Sequence, residues 1–262
     1  MNIVVTIKQV EDPIIPPTHM VLDASGKRVV SASGAPQVMN GYDANALEVA
    51  LRLKEKHGGK VTAICLADDS GRKTLKRAVA MGADSAILLC DPQWGALDSF
   101  GIASVLAAGV RKIGQVDLVL CGRQASDSDA GQVLYWLANI LELPVVSPVI
   151  KIEESGPDAL VVNQLLEEEY QRLMVALPAL LGISSEVNEP RLPSPKGTII
   201  ATRTMIPMWT SSALAVGDLA SKVTIKKLDI QLRTTKAEII GGATGAASGK
   251  ALADKLHQMG LL

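Results

Sequence analysis

Aromatic side chains are scarce: one Phe, three Tyr and three Trp make up 3 % of 262 residues. Proteins that grip single-stranded nucleic acid stack bases on aromatic platforms, so that class is disfavoured. Charge of one sign is also missing, since 26 Lys and Arg stand against 27 Asp and Glu, a net charge of −1. A broad electrostatic grip on nucleic acid or anionic membrane is therefore not expected, although a local basic patch is compatible with a neutral total. No apolar run reaches the ~18 residues of a transmembrane helix. The longest, Leu173–Ile183, is broken by Pro178 and Gly182. Residues 1–10 form a short apolar run without a basic lead-in, which reads as a first strand rather than a signal peptide. The expected location is cytoplasmic, where the three cysteines stay reduced. Cys65, Cys90 and Cys121 are too far apart for a CxxC motif and each ends an apolar run, so they read as small buried hydrophobes. His19, His57 and His257 have no metal-ligand or nucleophile partner nearby in sequence and read as surface residues. No acid, base and nucleophile set emerges, which favours a binding or carrier role over side-chain catalysis.

What is present is alternation. Asn2–Lys8, Val61–Ala67, Ser85–Cys90 and Val116–Cys121 are β-branched or continuous apolar runs. Between them, Asp43–Lys56, Ser70–Met81 and a segment opening at Asp98 carry apolar residues at helical spacing, and Ala130–Leu141 follows the last run in the same way. Strands alternating with helices predict an α/β fold with a doubly wound, mostly parallel sheet. The ligand of such a sheet sits beyond the carboxyl ends of its strands, which selects the loops after Lys8, Ala67 and Cys121. After Pro144 the rhythm changes. Val145–Ile150, Ala159–Gln164, Gln171–Leu177 and Ala179–Ser184 read as strands without helices between them, and Glu153–Asp158 as a turn. They predict antiparallel strands added to the sheet. From Asn188 to about Lys236, Pro190, Pro193, Pro195 and Pro207 predict extended backbone, with one strand over Lys222–Arg233. Gly241–Gly249 reads as a flexible linker and Ser248–Met259 as a helix.

The segment with most chemistry is Gly122-Arg123-Gln124-Ala125-Ser126-Asp127-Ser128-Asp129-Ala130-Gly131-Gln132-Val133. It leaves a buried strand and enters a helix, whose first-turn N–H groups and dipole favour an anion. Arg123 adds a charged donor for phosphate. Asp127 and Asp129 repel phosphate if aimed at it, so they read as N-caps, as ligands of ribose hydroxyls or as acceptors of buried N–H groups. A capped helix start under a solvated loop is the plain alternative. The segment is neither GxGxxG nor a Walker loop.

These residues resemble the β subunit of electron transfer flavoprotein. The resemblance rests on Val4–Val10 (VVTIKQV), Met39–Lys56 (MNGYDANALEVALRLKEK), Ala80–Asp84 (AMGAD), Val116–Gln132 (VDLVLCGRQASDSDAGQ) and Asn188–Arg191 (NEPR) after the strand Pro178–Ile183. It covers nearly the whole chain. It implies a fold similar to adenine-nucleotide α-hydrolases and a heterodimer with an α subunit that holds most of the electron-carrying FAD. It also implies a nucleotide in this chain: AMP in conventional members, a second FAD in electron-bifurcating members that oxidise NADH. By position, the resemblance places the site at Thr6, at Asn40, Gly41, Tyr42 and Asp43, at Leu66, and at Gly122–Val133. Thr6 and Leu66 are expected at the adenine, the Asp127–Val133 turn at phosphate, and Tyr42 near the flavin of the α subunit.

The chain departs from the family pattern at Leu134, where members carry glycine, and lacks the threonine hydroxyl that members carry around Ala130–Val133. Bulk at Leu134 favours a monophosphate, hence AMP. Lys8-Gln9-Val10 and Asn40–Asp43 are closer to the bifurcating and nitrogen-fixation branches, which favours FAD. Residues after Arg191 match the family's recognition loop for a partner dehydrogenase of acyl-CoA dehydrogenase type or another flavin dehydrogenase. Here Arg191, Leu192, Pro193, Ser194, Pro195 and Ile199 are the expected partner contacts. The implied division is a nucleotide-binding domain over 1–187 and a recognition loop with a C-terminal arm on the α subunit over 188–262. A stand-alone adenine-nucleotide module is the further alternative.

Overall fold

The computed structural model describes residues 1–32, 34–156, 158–217, 219–230 and 237–262. They form two compact units, Met1–Leu228 and Asp229–Leu262.

In the first unit the strands are β1 (Asn2–Ile7), β2 (Gln9–Glu11), β3 (Met20–Leu22), β4 (Val29–Ser31), β5 (Gln37–Met39), β6 (Lys60–Leu66), β7 (Ser85–Leu89), β8 (Leu118–Gly122), β9 (Val145–Ser155), β10 (Ala159–Leu165), β11 (Tyr170–Ala176), β12 (Ala179–Ile183) and β13 (Met208–Trp209). The helices are α1 (Gly41–His57), α2 (Gly71–Met81), α3 (Ser99–Ile113), α4 (Val133–Leu141), α5 (Pro195–Arg203) and α6 (Ser211–Leu214). One nine-stranded sheet has the order β11-β10-β9-β12-β8-β1-β6-β7-β13. From β9 through β12, β8, β1, β6 and β7 to β13 every pairing is parallel; β10 and β11 are antiparallel additions at one edge. This is the expected α/β architecture.

The continuous apolar runs have a packing reason. In β1, Ile3, Val5 and Ile7 face the core under α1 and α2, while Val4 faces the core under α3 and α4. In β8, Leu118 and Leu120 share the first core and Val119 and Cys121 the second. A strand covered on both faces has no solvent side, so alternation disappears from its sequence.

Several expectations need correction. Pro195 starts a helix instead of preventing one. The Ser194 hydroxyl caps it by accepting from Gly197 N–H at 2.9 Å, and Pro at the first helical position loses no bond. That helix lies tightly on α2, since a Cβ on Gly197 would run into the carbonyl of Ala80. Residues 222–230 form no strand, and 231–233 lie outside the described residues. β9 continues to Ser155 through half of the expected Glu153–Asp158 turn, of which Pro157 is also outside the described residues. Cys90 lies beyond β7 and is only half-buried, unlike Cys65 and Cys121. Residues 9–39 add two small antiparallel pairs, β2 with β5 and β3 with β4.

The second unit contains α7 (Gly245–Gln258). Thr244 caps it by accepting from Ala247 N–H at 3.2 Å, so the helix begins inside the stretch expected to be a linker. Lys255 pairs with Glu238. Among the described residues, no helix is long and apolar enough to cross a membrane.

Candidate functional site

A cavity opens beyond the carboxyl ends of β1, β6 and β8, where three helices begin. Its frame is set from the start of α1. Asp43, in the first turn, is 5 % exposed. Its carboxylate accepts the N–H of Lys8 at 2.7 Å and of Gly122 at 3.0 Å, tying the ends of β1 and β8 to one helix. Burial pushes the Asp43 carboxyl up to about 7, against the pull of these bonds. Gly122 is required by this approach: a Cβ there would overlap the Asp43 carboxylate and sit 2.7 Å from Tyr42 Cβ.

Asn40 fixes the next residues. Its amide donates to Gln124 O at 2.9 Å and its oxygen accepts Ser126 N–H at 3.2 Å. Ala125 O accepts Ser128 N–H at 3.3 Å and Asp129 N–H at 2.9 Å, closing a turn. Asp129 and Gly131 then take left-handed backbone, with φ of 51° and 58°. After this turn the backbone N–H groups of residues 130–134 form no hydrogen bond among the described residues. Unpaired N–H groups around left-handed residues at a helix start make an anion-binding concavity.

The two aspartates do not cap α4. That helix begins at Val133, later than expected, and its cap residue Gln132 makes no side-chain cap bond. Asp127 accepts from the Lys8 ammonium at 2.6 Å, and Asp129 from the Gln124 amide. Arg123 stacks on the Tyr42 ring at 5.2 Å and reaches Ser184 Oγ at 3.5 Å. Its Nε is buried with no hydrogen-bond partner among the described residues.

Of the residues expected at a nucleotide, Thr6, Asn40, Asp43, Leu66, Gly122, Arg123, Gln124, Ala125, Ser128, Ala130, Gly131, Gln132 and Val133 line the cavity. Gly41, Tyr42, Ser126, Asp127 and Asp129 are not part of this lining, though Tyr42, Ser126, Asp127 and Asp129 contact lining residues Arg123, Asn40, Lys8 and Gln124 in turn. Leu134, expected to crowd the phosphate, also lines the cavity, and three kinds of lining were not among the expected contacts: Ile7, the strand-end residues Lys8 and Cys121, and a whole wall from α3, Ser99, Ile102 and Leu106. The α3 positions share one face of a helix that starts beside the strand ends, but the same apolar stripe reads equally well as core. Burial pushes the Cys121 thiol up to about 12, and Cys65 likewise, so both are neutral thiols. Among the described residues, no three His, Cys, Asp or Glu side chains are grouped to hold a metal. The cavity thus offers main-chain donors and one guanidinium beside an aliphatic wall.

The family model of the electron transfer flavoprotein domain matches residues 27–204. This chain belongs to the electron transfer flavoprotein family. It is 42 % identical over 197 residues to an electron transfer flavoprotein subunit beta of Thermoanaerobacterium thermosaccharolyticum, covering 75 % of this chain and 73 % of that protein. The corresponding subunit of Clostridium acetobutylicum is 38 % identical over 216 residues, covering 82 % and 81 %. The caffeyl-CoA reductase-Etf complex subunit CarD of Acetobacterium woodii is 38 % identical over 212 residues, covering 80 % and 78 %. An electron-transfer role, association with flavin and an α-type partner subunit follow from membership.

In this electron transfer flavoprotein chain the Asn188–Arg191 segment is fastened to α1. Asn45 donates to Asn188 O at 2.7 Å, and the Asn188 amide donates to Asn45 O at 3.2 Å. Arg191 reaches Glu48 at 2.8 Å and Glu55 at 2.5 Å. Burial pushes Glu48 up, but bonds from Arg191 and Arg52 outweigh it and hold the carboxyl below its ordinary value. Beyond this clasp, Leu192 is 80 % exposed and Ile199 57 % exposed; Pro193 leads into the Ser194 cap and Pro195.

Proposed function

We propose that the chain is the β subunit of a cytoplasmic heterodimer that carries electrons between a flavin dehydrogenase and an acceptor, and that its cavity holds AMP. The α subunit would hold most of the FAD, which supplies the electron-carrying chemistry when bound. The observation that carries the nucleotide reading is the run of free N–H groups over residues 130–134 beside the unpaired Arg123 Nε. A phosphate in the cavity would accept from those N–H groups, with the Arg123 guanidinium as the nearby cation. Asp127 and Asp129, which would repel it, are already engaged by Lys8 and Gln124. Ile102, Leu106 and Leu66 supply apolar contact for a base. Leu134, a cavity-lining residue, adds bulk on the phosphate side and favours one phosphate over two. Thr6 and Leu66, at the ends of β1 and β6, offer backbone groups to the base. Exposed Leu192, Ile199 and Ile200 supply the apolar surface for docking a dehydrogenase of acyl-CoA dehydrogenase type or another flavin dehydrogenase. Residues 188–262 would then contain the recognition loop and the arm that packs on the α subunit.

A second reading places a second FAD in the cavity and makes the heterodimer an NADH oxidant. It is favoured by Lys8, which lines the cavity and whose ammonium is held, among the described residues, by a half-exposed pair with Asp127, so that side chain can swing away for a longer ligand. One measurement separates the two: nucleotide released by denaturing the purified heterodimer, quantified by chromatography. One FAD and one AMP per heterodimer is the expected result. Two FAD and no AMP replaces the first reading by the second. One FAD and nothing else returns residues 122–134 to a capped turn.

A further inference from the structure

Helix α1 touches two sites with one rigid element. Its first turn holds the cavity: Asn40 precedes it and grips Gln124 and Ser126, and Asp43 grips Lys8 and Gly122. Its next turns hold the segment after β12. Asn45, Glu48, Arg52 and Glu55 are spaced by three, four and three residues, which puts them in one stripe along the helix. Three of them bind the 188–191 segment directly, and Arg52 holds Glu48 at 2.6 Å. The Arg191 guanidinium bonds both Glu48 and Glu55, and its own N–H donates to Glu48 at 3.2 Å. A fork gripping two carboxylates two helical turns apart fixes orientation as well as charge.

A second route joins the same two regions. Arg123 N–H donates to Ile183 O at 2.9 Å, and its guanidinium reaches Ser184, which donates to Glu186. The cavity loop and the segment after β12 are thus linked twice, at the ends of the neighbouring strands β8 and β12 and through α1.

We propose that α1 couples order in the cavity loop to order in residues 188–203, with Arg191 acting as a positioning residue for the exposed apolar surface that follows it. A ligand that draws the N–H groups of 130–134 together stiffens the Asn40 and Asp43 contacts. It thereby holds the start of α1 in the register that keeps Asn45, Glu48 and Glu55 on their partners. Order then passes to Leu192 and α5 without any ligand contact there. Such coupling through local opening equilibria is thermodynamically mutual. It rests on the nucleotide reading of the cavity.

The test is hydrogen exchange on the FAD-containing heterodimer refolded with and without AMP. AMP is expected to slow exchange in 122–134 and, by about fivefold or more, in 188–203. In Arg191→Gln the effect on 122–134 should persist and the effect on 188–203 should vanish. A merely structural role for Arg191 would raise exchange equally with and without AMP, leaving the ratio unchanged. Arg191→Lys, which keeps the charge and loses the fork, should restore part of the ratio. Glu55→Gln, at an exposed carboxylate, keeps the test open if the Arg191 variant does not fold, and should lower the ratio partway. AMP protection confined to 122–134 in the unmodified chain overturns the coupling and leaves the nucleotide reading intact, as does a full ratio retained in both the Arg191→Gln and Glu55→Gln variants. AMP without effect on 122–134 overturns the nucleotide reading and the coupling together.

Discussion

Two loops leave the sheet side by side and are built in opposite ways. β8 and β12 are neighbours, and Gly122 pairs with Ile183 at their ends. After β8 the chain turns through two left-handed residues and leaves the N–H groups of 130–134 free. After β12 the chain is fastened by Asn45, Glu48 and Glu55, while Leu192 and Ile199 point outward. A loop that binds a small anion needs spare main-chain donors. A loop that docks on a protein needs spare apolar area on a backbone already ordered, because ordering at the moment of binding costs affinity. The two loops meet these needs from the same helix.

The largest break in this comparison is Gly122→Asp. The new side chain overlaps Asp43 and Tyr42 and places a second carboxylate against a buried one. A stability loss of at least about 3 kcal/mol in urea denaturation is expected, with loss of bound nucleotide. A normal midpoint with full nucleotide content would show that the close approach of α1 to β8 is dispensable.

Asp43→Asn acts on the same junction more gently. The amide turns a donor toward the N–H of Lys8 or Gly122, so one bond is lost, at about 1–3 kcal/mol at pH 8. The pH dependence has a definite sign. Burial raises the carboxyl from 3.8 to about 7, so between these values the folded chain holds a proton that the unfolded chain has released. Stability from this group is full below pH 3.8 and is lost as pH rises to about 7, by at most about 1.4 kcal/mol per unit. Asparagine has no such proton. The stability difference between the unmodified chain and the variant should therefore shrink across that window and level off above pH 7.

How much of this was legible follows the range of the interactions. The parallel sheet could be read because strands buried on both faces write continuous apolar runs. The β8 loop could be read because its glycines and aspartates follow such a run directly. The α3 wall could not, since Ile102 and Leu106 make the same apolar stripe whether they face a core or a cavity. The roles of Asp127 and Glu48 could not, because their partners Lys8 and Arg191 are 119 and 143 residues away. Local spacing left Asp127 as a helix cap, a ribose ligand or an acceptor of buried N–H groups; tertiary structure gave it to a lysine. Pro195 was misread for a different reason: proline ends a helix from inside but starts one from its first position, and only the Ser194 cap distinguishes the cases.

Ser194→Ala sharpens the comparison at the docking loop. It removes the bond to Gly197 N–H and should cost about 1 kcal/mol, read as faster hydrogen exchange in 195–203.

The smallest effect on stability and the most selective on function is expected from Ile199→Asp. Ile199 is more than half in water already, so the folded chain loses little by carrying a carboxylate there, within about 0.5 kcal/mol. At an interface the same carboxylate must be stripped of water without a partner, beside Leu192 and Ile200. Electron transfer from a flavin dehydrogenase should then show a raised KM for this heterodimer with kcat unchanged, because docking is weakened and the flavin environment is not. A fall in kcat at constant KM would mean that α5 acts after docking, and would move the apolar contact elsewhere on the chain. Nucleotide content should stay whole in this variant, since among the described residues no hydrogen bond from α5 reaches the loop after β8. The two loops would thus be separable by substitution, even though one helix holds them both.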